Sequence, residues 1–181
     1  MDPRVLIVID MQERPRILRA VSDKPSGFRR IVLDRIAALG PADRLVYVAM
    51  ERWSDRPEPL TVRQAQAPGL LRQPLLDCFD GSTEERDVYV KRVWDGASSE
   101  SLVRHLDEVC ERSGIRVFEL VGAFGECCVA SSANGLRKRF PHVSVEVNED
   151  CVKFLLEHAL GRRRGRELGR RVLHARTRKS G

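Results

Sequence analysis

The chain has 181 residues, of which 42% are hydrophobic and 32% are charged, with a formal net charge of +6. A chain of this length is expected to bury roughly 70% of the surface of its unfolded form around one core, so the sequence predicts a single domain, residues 1–181. The apolar runs fall far short of the ~20 residues that cross a bilayer, which excludes a transmembrane helix, and the run at 5–9 is too short for a secretory signal. The predicted location is the cytoplasm, with no membrane partner.

Five short segments have the apolar, β-branched composition of parallel strands that are buried on both faces. In chain order they are 5–9, 45–49, 88–90, 117–121 and 143–147. Residues 172–174 are a further candidate, for a short strand at the edge of the sheet.

Helical patterns lie between these strands. Apolar residues recur at helical spacing over 28–39 and over 102–110, and the second run follows Ser98 and Ser99, which are candidate N-caps. Because strands that alternate with helices form βαβ crossovers, the sequence predicts an α/β fold of three layers, α/β/α. Its middle layer is predicted to be a mostly parallel sheet of five to six strands.

Two segments differ from this regular pattern. Residues 51–86 are rich in Pro, Arg and Gln and are longer than ordinary connections, as lids and binding loops are. Residues 162–181 hold nine Lys or Arg against one Glu, and such a basic segment can contact nucleic acid. It contains no aromatic side chain for base stacking, which favours a solvated C-terminal helix over a nucleic-acid partner.

Three reactive side chains follow the predicted strands. Asp10 comes directly after the first strand, Lys91 directly after the third, and Cys128 a few residues after the fourth, at the predicted start of a helix. In open α/β sheets the ligand crevice lies beyond the carboxyl ends of the strands, so the three are expected to meet. A thiol with a pKa of roughly 8.5 must lose its proton to act as a nucleophile. A carboxylate can take that proton, and an ammonium group and a helix N-terminus can stabilise the thiolate.

Each of these residues also has a structural interpretation when it is considered alone. Asp10 can be a simple cap after a strand, and Lys91 its surface ion-pair partner. Cys128 and its neighbour Cys127 can be buried thiols of the core, because cysteine is among the most buried residue types. It is their joint position at one sheet edge that favours attack on an amide carbonyl, with ammonia or an amine leaving.

The same residues carry a resemblance to the isochorismatase-like hydrolases, a superfamily that includes nicotinamidases, N-carbamoylsarcosine amidohydrolases and other cysteine hydrolases. "VLIVIDMQ" resembles the opening strand of that family with its catalytic Asp, and "VKRVWDGAS" is similar to its Lys segment. "ELVGAFGECCVASSANG" resembles its G-x-x-T-D-x-C-V nucleophile turn. The resemblance covers nearly the whole chain and implies a Rossmann-like fold. It also implies a homo-oligomer, either a dimer or a tetramer.

The resemblance assigns a role to each residue of the site. It makes Asp10 the general base, Lys91 the charge that orients and stabilises the reacting centre, and Cys128 the attacking thiolate. It places the oxyanion hole at the backbone N–H groups of Phe124 and Cys128, with a cis peptide bond before Phe124.

Two departures from the family pattern are present. Gly125 and Glu126 stand where the family has Thr-Asp, so side chains that brace the turn are expected to be lost or lengthened. Ala97 stands where a Phe closes the Lys segment, which predicts a pocket of different shape. The candidates for substrate binding, all at or near strand ends, are Gln12, Trp53, Trp94 and Phe124.

The positions of the histidines and cysteines bear on the substrate. The four histidines all follow residue 100, whereas nicotinamidases resemble one another in a His-containing metal site after the second strand. The five cysteines have no metal-type spacing either, so the sequence predicts neither a metal nor any other cofactor and disfavours nicotinamide as substrate.

Three functions remain open at this point. Isochorismatases proper cleave a vinyl ether and lack the cysteine, so Cys128 favours hydrolysis of the C–N bond of a small amide or carbamoyl group. The alternatives are an isochorismatase-type vinyl ether hydrolase of secondary metabolism and a non-catalytic binding protein. The latter would use the hydrolase scaffold and its basic segment, residues 162–181, to bind a nucleic acid or a partner protein.

Overall fold

The computed structural model of the chain describes residues 3–11, 27–50, 60–61, 87–91 and 95–178. A 3₁₀ turn (Gly96–Ser98) and a π-helical turn (Gly125–Val129) precede two of its helices. The strands are β1 (Arg4–Ile9), β2 (Arg44–Met50), β3 (Leu60–Thr61), β4 (Asp87–Lys91), β5 (Val117–Ala123) and β6 (Ser144–Lys153). The α-helices are α1 (Phe28–Ala37), α2 (Glu100–Ser113), α3 (Ala130–Arg139), α4 (Leu156–Leu160) and α5 (Arg162–Thr177).

The strands form one sheet in the order β3-β4-β2-β1-β5-β6. All neighbouring strands are parallel except β3, which runs antiparallel to β4. The chain adds β2 and β4 on one side of β1 and then crosses to add β5 and β6 on the other. The predicted α/β class with a mostly parallel sheet is therefore confirmed, and the winding reverses between β1 and β5, which is where such sheets bind ligands.

Two consecutive residues of β5, whose side chains point to opposite faces, show that helices cover both faces of the sheet. The ring of Phe118 packs edge-on against Phe140 at the end of α3, with 5.1 Å between the ring centroids. The next side chain, Glu119, points to the opposite face and binds Arg35 of α1. The central strand β1 is buried on both sides, and this is why its sequence is a continuous apolar run.

Helix α2 begins at one of the two predicted N-caps and ends at a glycine. The hydroxyl of Ser99 accepts a hydrogen bond from the N–H of Leu102 at 3.2 Å and forms the N-cap. Gly114 has φ of 63° and ends the helix by donating its N–H to the carbonyl of Cys110 at 3.1 Å. No helix among the described residues is long and apolar enough to span a bilayer.

One strand prediction was wrong, and one predicted strand was too short. Residues 172–174 lie inside α5, where Gly165, Gly169 and Leu173 are buried at a spacing of four, the spacing of a helix. The sixth strand is instead β3, in the segment predicted to be a lid or a binding loop, whose other residues lie outside the described ranges. Strand β6 also continues past residue 147 to Lys153, because it rejoins β5 after an irregularity in the pairing.

A buried carboxylate joins four elements of the fold. Glu119 of β5 accepts hydrogen bonds from Arg35 of α1 at 2.5 and 2.8 Å, from Asn148 of β6 at 2.8 Å and from Arg4 of β1 at 2.9 Å. Burial alone would raise the pKa of Glu119, but these hydrogen bonds outweigh it and lower the pKa to about 2. The charged form of Glu119 therefore stabilises the folded state.

This pKa predicts an acid-sensitive component of stability. Because the folded pKa of Glu119 lies below the ordinary value of 4.5, the stabilisation is complete above pH 4.5 and is lost as pH falls through about 2. We expect Glu119→Gln to lower the free energy of unfolding by about 3 kcal/mol at neutral pH and to flatten its decline in acid. Urea titrations at several pH values measure both effects. Glu146→Gln, an exposed carboxylate of β6, is the control, and equal behaviour of the two variants would refute the assignment.

Candidate active site

Asp10 lies at the carboxyl end of the central strand. Its N–H donates to the carbonyl of Val48 at 2.8 Å, which continues the pairing of β1 with β2 by one residue. Asp10 then leaves the strand with φ of 51°, a left-handed conformation that Asp tolerates better than most residues. Its exposed fraction is 1%, so the predicted general base is a buried carboxylate at the edge of the sheet.

Gly122 brings the end of β5 against the end of β1. It pairs with Ile9, has φ of 126°, and a Cβ added to it would lie 2.1 Å from the carbonyl oxygen of Ile9. No side chain can occupy that space, so only glycine allows the two strands to approach in this way. The residues after β5 therefore continue directly beside Asp10.

The segment after β5 is a π-helical turn that contains the predicted nucleophile. Phe124 adopts a left-handed conformation, with φ of 65° and ψ of 57°. Its carbonyl accepts hydrogen bonds from the N–H of Cys127 at 3.0 Å and from the N–H of Val129 at 3.2 Å. Cys128 is 4% exposed and sits within this turn, which leads directly into helix α3. This agrees with its predicted place at a helix start, where the helix dipole favours a thiolate.

Glu126 braces the turn, so of the two expected outcomes, loss or lengthening of the bracing side chains, lengthening applies at this position. Its buried carboxylate accepts the backbone N–H groups of Leu155 and Leu156, both at 3.0 Å, at the start of α4. Hydrogen bonds to a charged acceptor are about twice as strong as neutral ones. The longer side chain thus fixes the turn to the segment that follows β6.

Gly125, the residue before Glu126, packs closely against the end of β6 and the residue that follows it. A Cβ on Gly125 would lie 2.5 Å from the ring of Phe154 and 2.6 Å from a methyl group of Val152. A threonine here, as in the family pattern, would clash with both side chains. Gly125 and Phe154 therefore fit each other, and the first departure from the pattern has a packing reason.

The predicted lysine belongs to the same edge of the sheet. Lys91 is the last residue of β4, not the residue after it, and its backbone pairs with Met50 at the end of β2. Strand β4 is two positions from β1 in the sheet, which corresponds to roughly 10 Å between strand axes. The backbone of Lys91 is thus at the carboxyl edge, on the β2 side of Asp10.

The small residues of α3 allow the segment after Lys91 to pack against the helix that follows Cys128. The N–H of Gly96 donates to the hydroxyl of Ser132 at 2.7 Å. The carboxylate of Asp95 accepts the N–H of Ala97 at 2.8 Å and occupies the space that a side chain at Gly135 would need. These contacts connect the lysine segment with the cysteine segment.

Comparison with known proteins identifies the fold. No family model and no curated protein matches the sequence. The structure is similar to an isochorismatase-like hydrolase from Alkaliphilus metalliredigens, with a TM-score of 0.62, 17% identity, and coverage of 97% of this chain and 90% of that one. The chain has the isochorismatase-like fold. The resemblance seen in the sequence is thus confirmed for the fold.

Other solved structures with this fold have different activities in their names. A nicotinamidase from Staphylococcus aureus gives a TM-score of 0.58 at 14% identity, with 98% of this chain and 97% of that one covered. An N-carbamoylsarcosine amidase from Thermoplasma acidophilum gives 0.51 at 22% identity, with 83% of each chain covered. At these identities the isochorismatase-like fold is shared, while the substrate must be argued from the site.

Several predicted residues of the candidate site are not within the described ranges. Gln12, Trp53 and Trp94 lie outside them, and their roles in substrate binding stay predictions. Phe124 is described and buried, at the bend that opens the nucleophile turn. Among the described residues, no group of three His, Cys, Asp or Glu side chains could hold a metal ion. The prediction of a site without metal or other cofactor is not tested by that finding.

Residues Arg162–Thr177 of the basic segment form helix α5, whose charge is partly neutralised within the chain. Arg170 forms ion pairs with Glu149 at 3.0 Å and with Asp150 at 2.9 Å, and Arg166 lies 3.6 Å from Asp150. The acidic pair occupies the irregular part of β6, and the interruption of an apolar strand by two acidic residues was a signal that sequence reasoning missed. An open groove of about 440 Å³ runs along the helix, lined by Arg163, Arg166, Glu167, Arg170, Arg171 and His174. Binding of nucleic acid to this helix stays a prediction.

Proposed function

We propose that the chain is a metal-independent cysteine hydrolase that cleaves the C–N bond of a small amide or carbamoyl substrate. The observation that supports this most is the placement of Asp10 and Cys128 at the ends of the two adjacent strands where the winding of the sheet reverses. Both residues are buried, Asp10 in a left-handed bend and Cys128 in a π-helical turn. Such local geometry is enriched at functional sites.

The proposed reaction has two steps. Asp10 takes the proton of the Cys128 thiol, and the thiolate attacks the carbonyl carbon to form a tetrahedral oxyanion. The backbone N–H groups of Phe124 and Cys128 stabilise that oxyanion, and Asp10 returns the proton to the nitrogen as the C–N bond breaks. Water then attacks the thioester, Asp10 accepts its proton, and the carboxylic or carbamic acid leaves as the thiol re-forms.

A buried thiolate needs compensating positive charge. Burial disfavours the charged form of a thiol, so a cysteine that is 4% exposed requires specific stabilisation to react near neutral pH. The N-terminus of the helical segment formed by the π-helical turn and α3 supplies part of it, because Cys128 lies in the first turn of that segment. The ammonium group of Lys91, whose backbone is at the same edge, is proposed to supply the rest.

The cysteine also separates this proposal from vinyl ether hydrolysis. A vinyl ether is hydrolysed through protonation of carbon and needs no thiol, whereas an amide needs a strong nucleophile. One structural neighbour is named an amidase and another a nicotinamidase, which supports the amide class. A cytoplasmic location and assembly into a dimer or tetramer are proposed with this function.

The pH dependence of Cys128 alkylation tests the proposal. We expect iodoacetamide to label Cys128 well below pH 8, at least tenfold faster than an ordinary thiol at the same pH. We expect Lys91→Ala to slow labelling at low pH roughly tenfold, because it removes the charge that favours the thiolate. Peptide mass spectrometry with fragment ions distinguishes Cys128 from Cys127.

Internal and matched controls are available in the same molecule. Burial raises the pKa of Cys110 and of Cys151, so these thiols report slow, unactivated labelling. Lys138→Ala removes an exposed ammonium from α3 and is expected to leave the Cys128 rate unchanged. Labelling of Cys128 no faster than of Cys110 would refute the proposed nucleophile.

A further inference from the structure

The end of helix α5 contacts the nucleophile turn. Arg176, in the last turn of α5, donates a hydrogen bond from Nη1 to the backbone carbonyl of Glu126, two residues before Cys128. The carbonyl of Arg176 itself accepts a hydrogen bond from the side-chain amide of Asn134 on α3 at 2.5 Å. The end of α5 is therefore attached both to the turn and to the helix that follows it.

A second attachment holds the end of α5 to α3. Arg137 of α3 donates from Nη1 to the carbonyl of Thr177 at 3.1 Å, and from Nη2 to the carbonyl of Val145 in β6 at 2.7 Å. These bonds restrict where the end of α5, and with it the Arg176 side chain, can lie. The donor to the turn is thus positioned by secondary structure and not by a free tail.

The body of α5 packs on the segment that holds the side chain of Glu126. A Cβ on Gly165 would lie 2.1 Å from the carbonyl oxygen of Leu156, and one on Gly169 would lie 2.6 Å from Phe154. The N–H of Leu156 is one of the two that bind the carboxylate of Glu126. Helix α5 is thus linked to Glu126 in two ways: directly through the Glu126 carbonyl, and indirectly through the segment whose N–H groups bind its carboxylate.

We propose that Arg176 is a positioning residue for the Cys128 nucleophile, an inference that rests on the proposed function of Cys128. The π-helical turn and the left-handed Phe124 are not low-energy defaults, and such geometry persists where the surroundings fix it. The Arg176 guanidinium fixes the peptide group between Glu126 and Cys127, whose N–H completes the turn by binding Phe124. Release of that peptide group frees the backbone that orients the Cys128 N–H and thiol.

The test compares three full-length variants. Arg176→Ala removes the donor, Arg176→Lys keeps a charge and a donor, and Arg164→Ala removes an exposed arginine from the first turn of the same helix. Hydrogen exchange of a peptide covering 124–130 reports the turn directly, because the N–H groups of Cys127 and Val129 bond within it. The ratio of Cys128 alkylation rates at about pH 9 and about pH 6.5 reports the thiolate fraction, and changes in exposure cancel in it.

We expect Arg176→Ala to speed exchange in this peptide and to increase the alkylation ratio, each roughly tenfold. Arg176→Lys is expected to restore much of both, and Arg164→Ala to change neither.

Unchanged exchange in Arg176→Ala would overturn the inference, and faster exchange with an unchanged ratio would reduce Arg176 to a structural role. A wild-type ratio equal to that of Cys110 would instead overturn the proposed function, while the exchange data would still show whether Arg176 holds the turn. If Arg176→Ala does not fold, Arg176→Lys is compared with Arg164→Ala instead. Lysine is an imperfect replacement for the arginine donor, so the inference requires faster hydrogen exchange of the turn in Arg176→Lys than in Arg164→Ala, and equal exchange would overturn it.

Discussion

We expect Cys128→Ser to lower the hydrolysis of amide substrates by a factor on the order of 10⁴ or more, while Cys127→Ser retains most of the activity. The two sulfurs are adjacent in sequence but differ in environment. Cys128 is buried in the turn immediately before α3, whereas Cys127 is partly exposed and packs against the rim of the core. Serine is nearly the size of cysteine, but its hydroxyl is a far weaker nucleophile than a thiolate. The substitution therefore removes the nucleophilic attack and preserves the packing.

Ammonia release from a panel of small primary amides and carbamoyl compounds measures this effect. Asp10→Asn, which keeps the shape of the side chain and removes the base, is expected to lose activity by a similar factor because the two residues act as a unit. Equal loss in Cys127→Ser and Cys128→Ser would point to damage of the turn rather than to a nucleophile. A wild-type protein that releases no ammonia from any of these compounds would contradict the proposed reaction class.

The position of the site could be predicted from the sequence because parallel strands align their carboxyl ends. Once 5–9 and 117–121 are recognised as strands, Asp10 and Cys128 must lie at the same edge, whatever the angles between the layers. Strands that are buried on both faces are continuous apolar runs in the sequence. They can therefore be recognised without knowing which strands they pair with. The pairing of Ile9 with Gly122 then sets how far the ends of the two strands lie from each other along the sheet.

The polar contacts that stabilise the fold and the turn could not be predicted in the same way. Glu119 meets Arg4 across 115 positions of the chain and Arg35 across 84, and Glu126 meets Leu155 across 29. Such pairs depend on how elements stack, which periodicity does not encode. The contacts of Glu126 could not be predicted for this reason, because the sequence shows that the side chain is longer but not which N–H groups it reaches.

We expect Gly122→Ala to be the most destabilising small substitution at the site, with a loss of roughly 3–6 kcal/mol in the free energy of unfolding. Two costs combine at this residue. Its φ of 126° is strained for any residue with a Cβ, and the added carbon would lie 2.1 Å from the carbonyl oxygen of Ile9. Relief requires β5 to move away from β1, which breaks the pairing that brings the cysteine turn to Asp10. Since domains are stable by only about 5–15 kcal/mol, we expect a large fall in the urea midpoint.

A second glycine separates the two costs. Gly114 also has a positive φ, of 63°, but a Cβ there would meet nothing within 4 Å. Gly114→Ala therefore measures backbone strain alone, about 1 kcal/mol, and the difference between the two variants measures the close approach of β5 to β1. In the fraction of Gly122→Ala that still folds, we expect Cys128 to lose the rapid alkylation expected of the wild type, because the turn that contains it no longer lies against the end of β1. Equal stability of the two variants would mean that β5 can shift freely, and the site would then not depend on this contact.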